Sequence, residues 1–135
     1  MPSEKETSTV TKQTILASVF ATALFAGAAI AQQAAVYTWT GPGVNVRGAS
    51  KCPGYKMTIN VTVNGNSVKG EFQQEGREQR NFETTLGQGG AFKTVAKLGQ
   101  GNTIDVVGTI KDGASKIMLD GYCKFEGKLT KKPAA

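Results

Sequence analysis

The stretch that decides the fold is residues 56–72, "KMTINVTVNGNSVKGEF". Met57, Ile59, Val61 and Val63 alternate with Lys56, Thr58, Asn60 and Thr62, the period of a strand with one face in a core and the other in water. "NGN" at 64–66 reverses the chain, and the Asn-Gly pair is a strong hairpin signal. The return strand then puts Val68, Gly70 and Phe72 on a common face.

The same grammar continues in both directions. "EGREQR" at 75–80 is a polar tip, "NFETTL" aligns Phe82, Thr84 and Leu86, and "GQGG" turns at 87–90. "AFKTVAKL" aligns Phe92, Thr94, Ala96 and Leu98, "GQGN" turns, and "TIDVVGTI" aligns Ile104, Val106, Gly108 and Ile110 before "KDGA" at 111–114. In "MLDGYCKFEGKL", residues 118–129, the alternation runs unbroken, which predicts one long strand bent at Gly121 and Gly127. Upstream, "VYTWT" at 36–40 reads as the first strand, and the Gly- and Pro-rich "GPGVNVRGASKCPG" after it as an irregular loop. No segment past residue 31 has a helical period. Consecutive strands joined by short polar turns give an all-β, antiparallel meander of about seven strands, closed as a small barrel or sandwich to hide its edges.

Four segments place a glycine between inward apolar residues: "VKGEF", "VVGTI", "LDGYC" and "FEGKL". Glycine packs poorly in a strand interior, so its recurrence predicts bends or the close approach of another backbone.

The N-terminus has a different character. A polar start with Lys5 and Lys12 precedes an apolar stretch from Ile15 to Ile30, closed by Ala29-Ile30-Ala31. That is the pattern of a signal-peptide helix cleaved after Ala31, and the stretch is too short and too rich in Ala, Ser18 and Thr22 for a membrane anchor of roughly 20 apolar residues. The expected organisation is a signal peptide at 1–31 and a single β domain at 32–135, periplasmic or secreted. Cleavage removes two residues of each sign, so the formal net charge of +6 is kept. Such a balance favours polyanions such as nucleic acid, an acidic glycan or a lipid surface. Only "KLTKK" near the C-terminus clusters the lysines, however, so a solvated surface with singly spread lysines fits better. The partner expected is a protein or an acidic glycan or lipid surface. Cys52 and Cys123 are the only cysteines, and an even count in a small exported domain is read as a disulfide.

Catalytic inventories fail. The chain has no His, which removes Ser-His, Cys-His and His-based metal chemistry, and bridged cysteines cannot ligate zinc. "GQGGAFKT" has Phe92 where a phosphate loop needs Gly before its Lys. Glu71, Glu75, Glu78 and Glu83 could pair as glycosidase-like carboxylates, but at a charged tip they lack the burial that separates pKa values. No enzyme activity, cofactor or metal is expected. Possible binding residues are Arg77 and Arg80 in the polar tip, and Tyr37 with Trp39, which share a face of the first strand as a stacking platform or as a lid on the core. Nucleic-acid binding would interleave aromatics with basic residues, and that pattern is missing. "NVT" at 60–62 matches a glycosylation acceptor but falls in a strand.

The early "WTG", "CPGYKMTINVTVNGNSVKG", the Gly-punctuated strands and the late "GYCKFEGKL" resemble small exported bacterial proteins of unknown function, with one N-terminal and one C-terminal cysteine around a glycine-rich β meander. The resemblance implies a periplasmic or secreted bacterial protein and supplies no catalytic residue. The expected function is a non-enzymatic binding or interaction module. The alternative is an inhibitor of a secreted hydrolase, such as a lysozyme or protease, with an exposed loop at 75–80 or 41–51 plugging a cleft.

Overall fold

The computed structural model describes residues 34–133, so the expected signal peptide lies outside the described residues. These residues form an all-β structure of ten strands: β1 (Ala35–Pro42), β2 (Val44–Asn45), β3 (Lys56–Asn64), β4 (Ser67–Gln74), β5 (Arg80–Thr85), β6 (Ala91–Gly99), β7 (Asn102–Thr109), β8 (Lys116–Asp120), β9 (Cys123–Lys128) and β10 (Thr130–Lys131). They make two five-stranded sheets, β10-β1-β3-β4-β5 and β2-β9-β8-β7-β6, with every pairing antiparallel. Among the described residues no helix is long and apolar enough to cross a membrane.

The two sheets meet along two seams. On one side Tyr37 and Thr38 pair with Lys131 and Thr130, while Val44 and Asn45 pair with Lys124 and Cys123. Both short stretches lie on one register, with the run 35–45 and the run 123–131 each passing from one sheet to the other between them. Extending that register puts Gly41 opposite Gly127, and there the indole of Trp39 fills the space: a Cβ on Gly127 would overlap it. The other seam, β5 against β6, has no continuous ladder. Thr84 Oγ1 donates to the Lys93 carbonyl at 3.4 Å, and the Phe82 and Phe92 rings stack across it with centroids 6.3 Å apart.

The alternation read from the sequence holds in β3, where Met57, Ile59 and Val61 are buried, and in β4, β6 and β7. Inside, Ile59, Val61, Val68, Val106, Ile117 and Leu119 are less than 2% exposed, each contributing about 1.5–3 kcal/mol by leaving water. Four expectations about the elements need correction. The strands number ten rather than about seven, in part because both edge runs divide where they change sheets. Residues 118–129 are a hairpin, not one bent strand: Asp120 pairs with Lys124 and Leu119 with Phe125, and the Gly121 N–H donates to the Cys123 carbonyl at 3.0 Å. Asp-Gly is itself a hairpin dipeptide, and the alternation runs through the turn because three loop residues keep Leu119, Cys123 and Phe125 inward. Likewise, the segment after "VYTWT" is not wholly irregular, since β1 runs on to Pro42 and β2 follows. In the β3–β4 hairpin the central pair is Gly65-Asn66, with positive φ at Gly65 alone, the II′ pattern rather than an Asn-Gly turn.

Three of the four inward glycines, Gly70, Gly108 and Gly127, seat aromatic rings, while Gly121 lies against Ile104. Gly108 also approaches the Lys116 backbone, the close approach expected from the sequence. Gly70 is the cross-strand partner of Phe82, and Gly108 that of Phe92. A Cβ on either would overlap the partner's ring. An aromatic laid over a cross-strand glycine fills the space that the missing side chain leaves.

The Cys52–Cys123 disulfide is present, with Cα atoms 5.6 Å apart and 71 positions between the cysteines in sequence. Cys52 is fully buried and Cys123 nearly so. The bond ties the 3-10 turn Cys52–Gly54 to the start of β9, and an oxidised pair is compatible with an exported protein.

Two outcomes test this packing. Gly70→Ala should lower stability by about 1–3 kcal/mol through overpacking, and combining it with Phe82→Leu should restore part of the loss, read as a non-additive cycle in urea unfolding. Replacing both cysteines by Ala should cost about 4 kcal/mol on the chain-entropy model for a loop of this length, seen as a lower urea midpoint with unchanged far-ultraviolet dichroism below the transition.

Candidate functional site

An up-and-down meander sends alternate turns to opposite ends. The β4–β5, β6–β7 and β8–β9 turns gather at one end with the 43–55 segment, and between them lies a cleft of about 630 Å³. Its floor is made by the inward residues that end their strands here: Met57, Phe72, Leu98, Ile104 and Phe125. Its rim carries Arg77, Glu78, Arg80, Tyr55 and Tyr122. An apolar floor with a few polar groups at the edge, at this volume, is the usual make-up of a small-ligand site.

Each rim residue is positioned by local structure. Gly76 takes a positive φ of 85° and turns the chain after β4, and the Arg77 N–H donates to the Gln74 carbonyl at 2.8 Å. The Gln73 side-chain amide donates to the Arg77 carbonyl, also at 2.8 Å. The Glu75 N–H donates to the Lys56 carbonyl, prolonging the β3–β4 pairing under the loop. Arg80, at the start of β5, pairs with Glu78 at 3.0 Å, and its guanidinium lies against Gly99 of the β6–β7 turn, which links the two sheets across the cleft. Among the described residues Arg77 has no ion-pair partner.

The opposite rim is the β8–β9 turn. Tyr122 is 70% exposed there, an unusual place for a large ring. Arg47 holds the turn from outside, donating to Asp120 Oδ1 at 2.6 Å and to the Gly121 carbonyl. The Asp120 hydrogen bond raises the Arg47 pKa above its ordinary value. The 43–55 segment is pinned from within: the Gly43 N–H reaches the Cys52 and Tyr55 carbonyls at 3.2 and 3.0 Å, and the Cys52 N–H donates to Asn45 Oδ1 at 2.9 Å. A Cβ on Gly43 would press on the Phe125 ring and the Cys52 carbonyl at 2.9 Å. With the disulfide one residue away, Tyr122 stands on a braced turn.

Of the residues singled out in the sequence, Arg77 and Arg80 come together at this rim. Tyr37 and Trp39 do not join them. Tyr37 is buried toward the other end, where it lines a small groove with Lys111 and Lys131, and Trp39 is half-buried in the seam, packed against the core. Tyr55 and Tyr122 were not singled out. The signal for Tyr122 was the Asp-Gly step before it, which makes the next residue a turn tip. Asn60 lies in β3, paired with Thr38 and Glu71 and half-buried.

No protein-family model, no curated protein and no solved structure matches this chain.

Proposed function

We propose that the protein is a non-catalytic binding module whose cleft takes an amphiphilic anion, with the apolar part on Phe72, Ile104 and Phe125 and the anionic group at Arg77. One observation carries this reading: a guanidinium without an ion-pair partner among the described residues stands over an apolar floor. A second favours anion rather than cation, because Arg80 offsets Glu78, the cleft's own carboxylate, at 3.0 Å. The interior below is filled by side chains, so the ligand sits in the mouth and not within the fold. Anilinonaphthalene sulfonate, an aromatic anion whose fluorescence rises on leaving water, is a suitable probe. Titration should show saturable binding at this site, and Arg77→Ala with Arg80→Ala should weaken it about tenfold, the equivalent of 1.4 kcal/mol. Affinity unchanged in that double variant would count against the assignment.

A second reading rests on Tyr122, an exposed ring on a turn fixed by Arg47 and the adjacent disulfide. Aromatic anchors on rigid loops are favoured at protein interfaces, so inhibition of a secreted hydrolase would use this turn rather than the 41–51 segment, whose first half is taken up by β1 and β2 and whose Arg47 is engaged by Asp120. Incubation with a panel of lysozymes and proteases should then show inhibition that Tyr122→Ala abolishes; full enzyme activity at micromolar protein argues against it.

A further inference from the structure

The end away from the cleft has a different chemistry. Lys116 of β8 and Lys128 of β9 are direct cross-strand partners, and both are exposed. Like charges set opposite one another in a sheet repel. They border a groove of about 690 Å³ on the outer face of β7–β9, next to Met118 and Val107. The groove follows the backbone row Gly108, Ile117 and Gly127, which are partners across three strands and send no side chain outward. A second groove of about 350 Å³ adjoins it at Gly113–Ser115 and adds Lys111 and Lys131. Asp112 and Glu126 are the only acidic residues lining either.

We propose that these joined grooves bind a linear acidic polysaccharide, with Lys111, Lys116, Lys128 and Lys131 neutralising successive carboxylate or sulfate groups. An anion between Lys116 and Lys128 removes the repulsion that the bare sheet carries. The site favours a polysaccharide over nucleic acid because no exposed aromatic stands among the lysines to stack bases; Tyr122 is at the other end. It favours a dissolved polymer over a bilayer because the exposed large apolar residues, Val44, Val95 and Tyr122, line neither groove, so nothing there would enter a membrane.

The test uses the domain with polygalacturonate and dextran sulfate as probes, titrated calorimetrically at several salt concentrations. Both should bind, with affinity falling linearly in the logarithm of salt, as counterion release requires. Lys116→Glu should weaken binding about tenfold or more and flatten the salt slope by roughly two charges, because it deletes one cation and engages another. The same change replaces a like-charge pair by an opposite one, so the melting temperature should rise while binding is lost. Lys97→Glu, an equal charge change beside the β6–β7 turn and opposite Thr103, should leave affinity within about twofold, since surface charges beyond a Debye length are screened. Should Lys116→Glu fail to fold, the Lys116→Gln, Lys128→Gln double variant carries the same binding comparison. Equal losses in the Lys97 and Lys116 variants would reduce the effect to diffuse net charge and overturn the proposal. So would binding confined to phosphatidylglycerol vesicles or to single-stranded DNA, or no binding of either polymer at low salt.

Discussion

The structure depends on aromatic rings that lie where a neighbouring strand has only a hydrogen. Phe82 covers Gly70, Phe92 covers Gly108 and Trp39 covers Gly127. Phe82 and Phe92 also stack on one another across the β5–β6 seam, where the backbone ladder lapses, and Phe72 continues the row at 6.3 Å from Phe82. Trp39 does the same service at the other seam, between the two short stretches of pairing that join β1 and β2 to β10 and β9. Both places where the sheets meet are therefore held by a ring on a glycine in addition to hydrogen bonds. Substituting either member costs twice, since the ring loses its seat and the seam loses its filler.

With the seams closed in this way, chemistry is divided between the ends. The cleft end collects the polar tip at 75–80 and the Asp-Gly-Tyr turn over strand-terminal apolar residues. The far end collects the 111–114 turn and the C-terminal strand, where lysines predominate. The division follows from chain direction alone: in an up-and-down meander, every second turn shares an end. Nothing in the local residues of the 75–80 tip or of the 120–122 turn specifies that they should face one another across a cleft.

Period-two patterning made the strands from 56 to 110 legible, because each has one wet face and a short turn rich in Gly and Asn. It failed at 118–129 for a definable reason. A hairpin with a three-residue loop keeps the inward face in phase, so Leu119, Cys123 and Phe125 read alike whether the chain bends back or runs on. Only the Asp120-Gly121 step distinguishes the two. The glycines were legible as inward and special, but not as ring seats, because the partner of each lies on a neighbouring strand and depends on register: Gly70 with Phe82 is 12 positions on, while Gly108 reaches back to Phe92. Arg77 and Arg80 could be singled out as charges that the fold does not need. That they overhang an apolar floor is a property of three turns at once, and no single segment carries it.

The hairpin changes what the disulfide does. On a single long strand, Cys123 would staple the middle of that strand to the 43–55 segment and act only on stability. In the hairpin, Cys123 is the first residue of β9 and follows Tyr122 directly, so the bond, the Arg47–Asp120 pair and the Asn45–Cys52 hydrogen bond all converge on one side of the cleft. An exposed ion pair such as Arg47–Asp120 contributes little to stability. Its effect here is on position: with the disulfide it leaves the β8–β9 turn few alternative conformations. A rim that is already ordered loses less entropy when a ligand or partner arrives, so the covalent constraint that stabilises the fold also preorganises the surface on which the cleft opens.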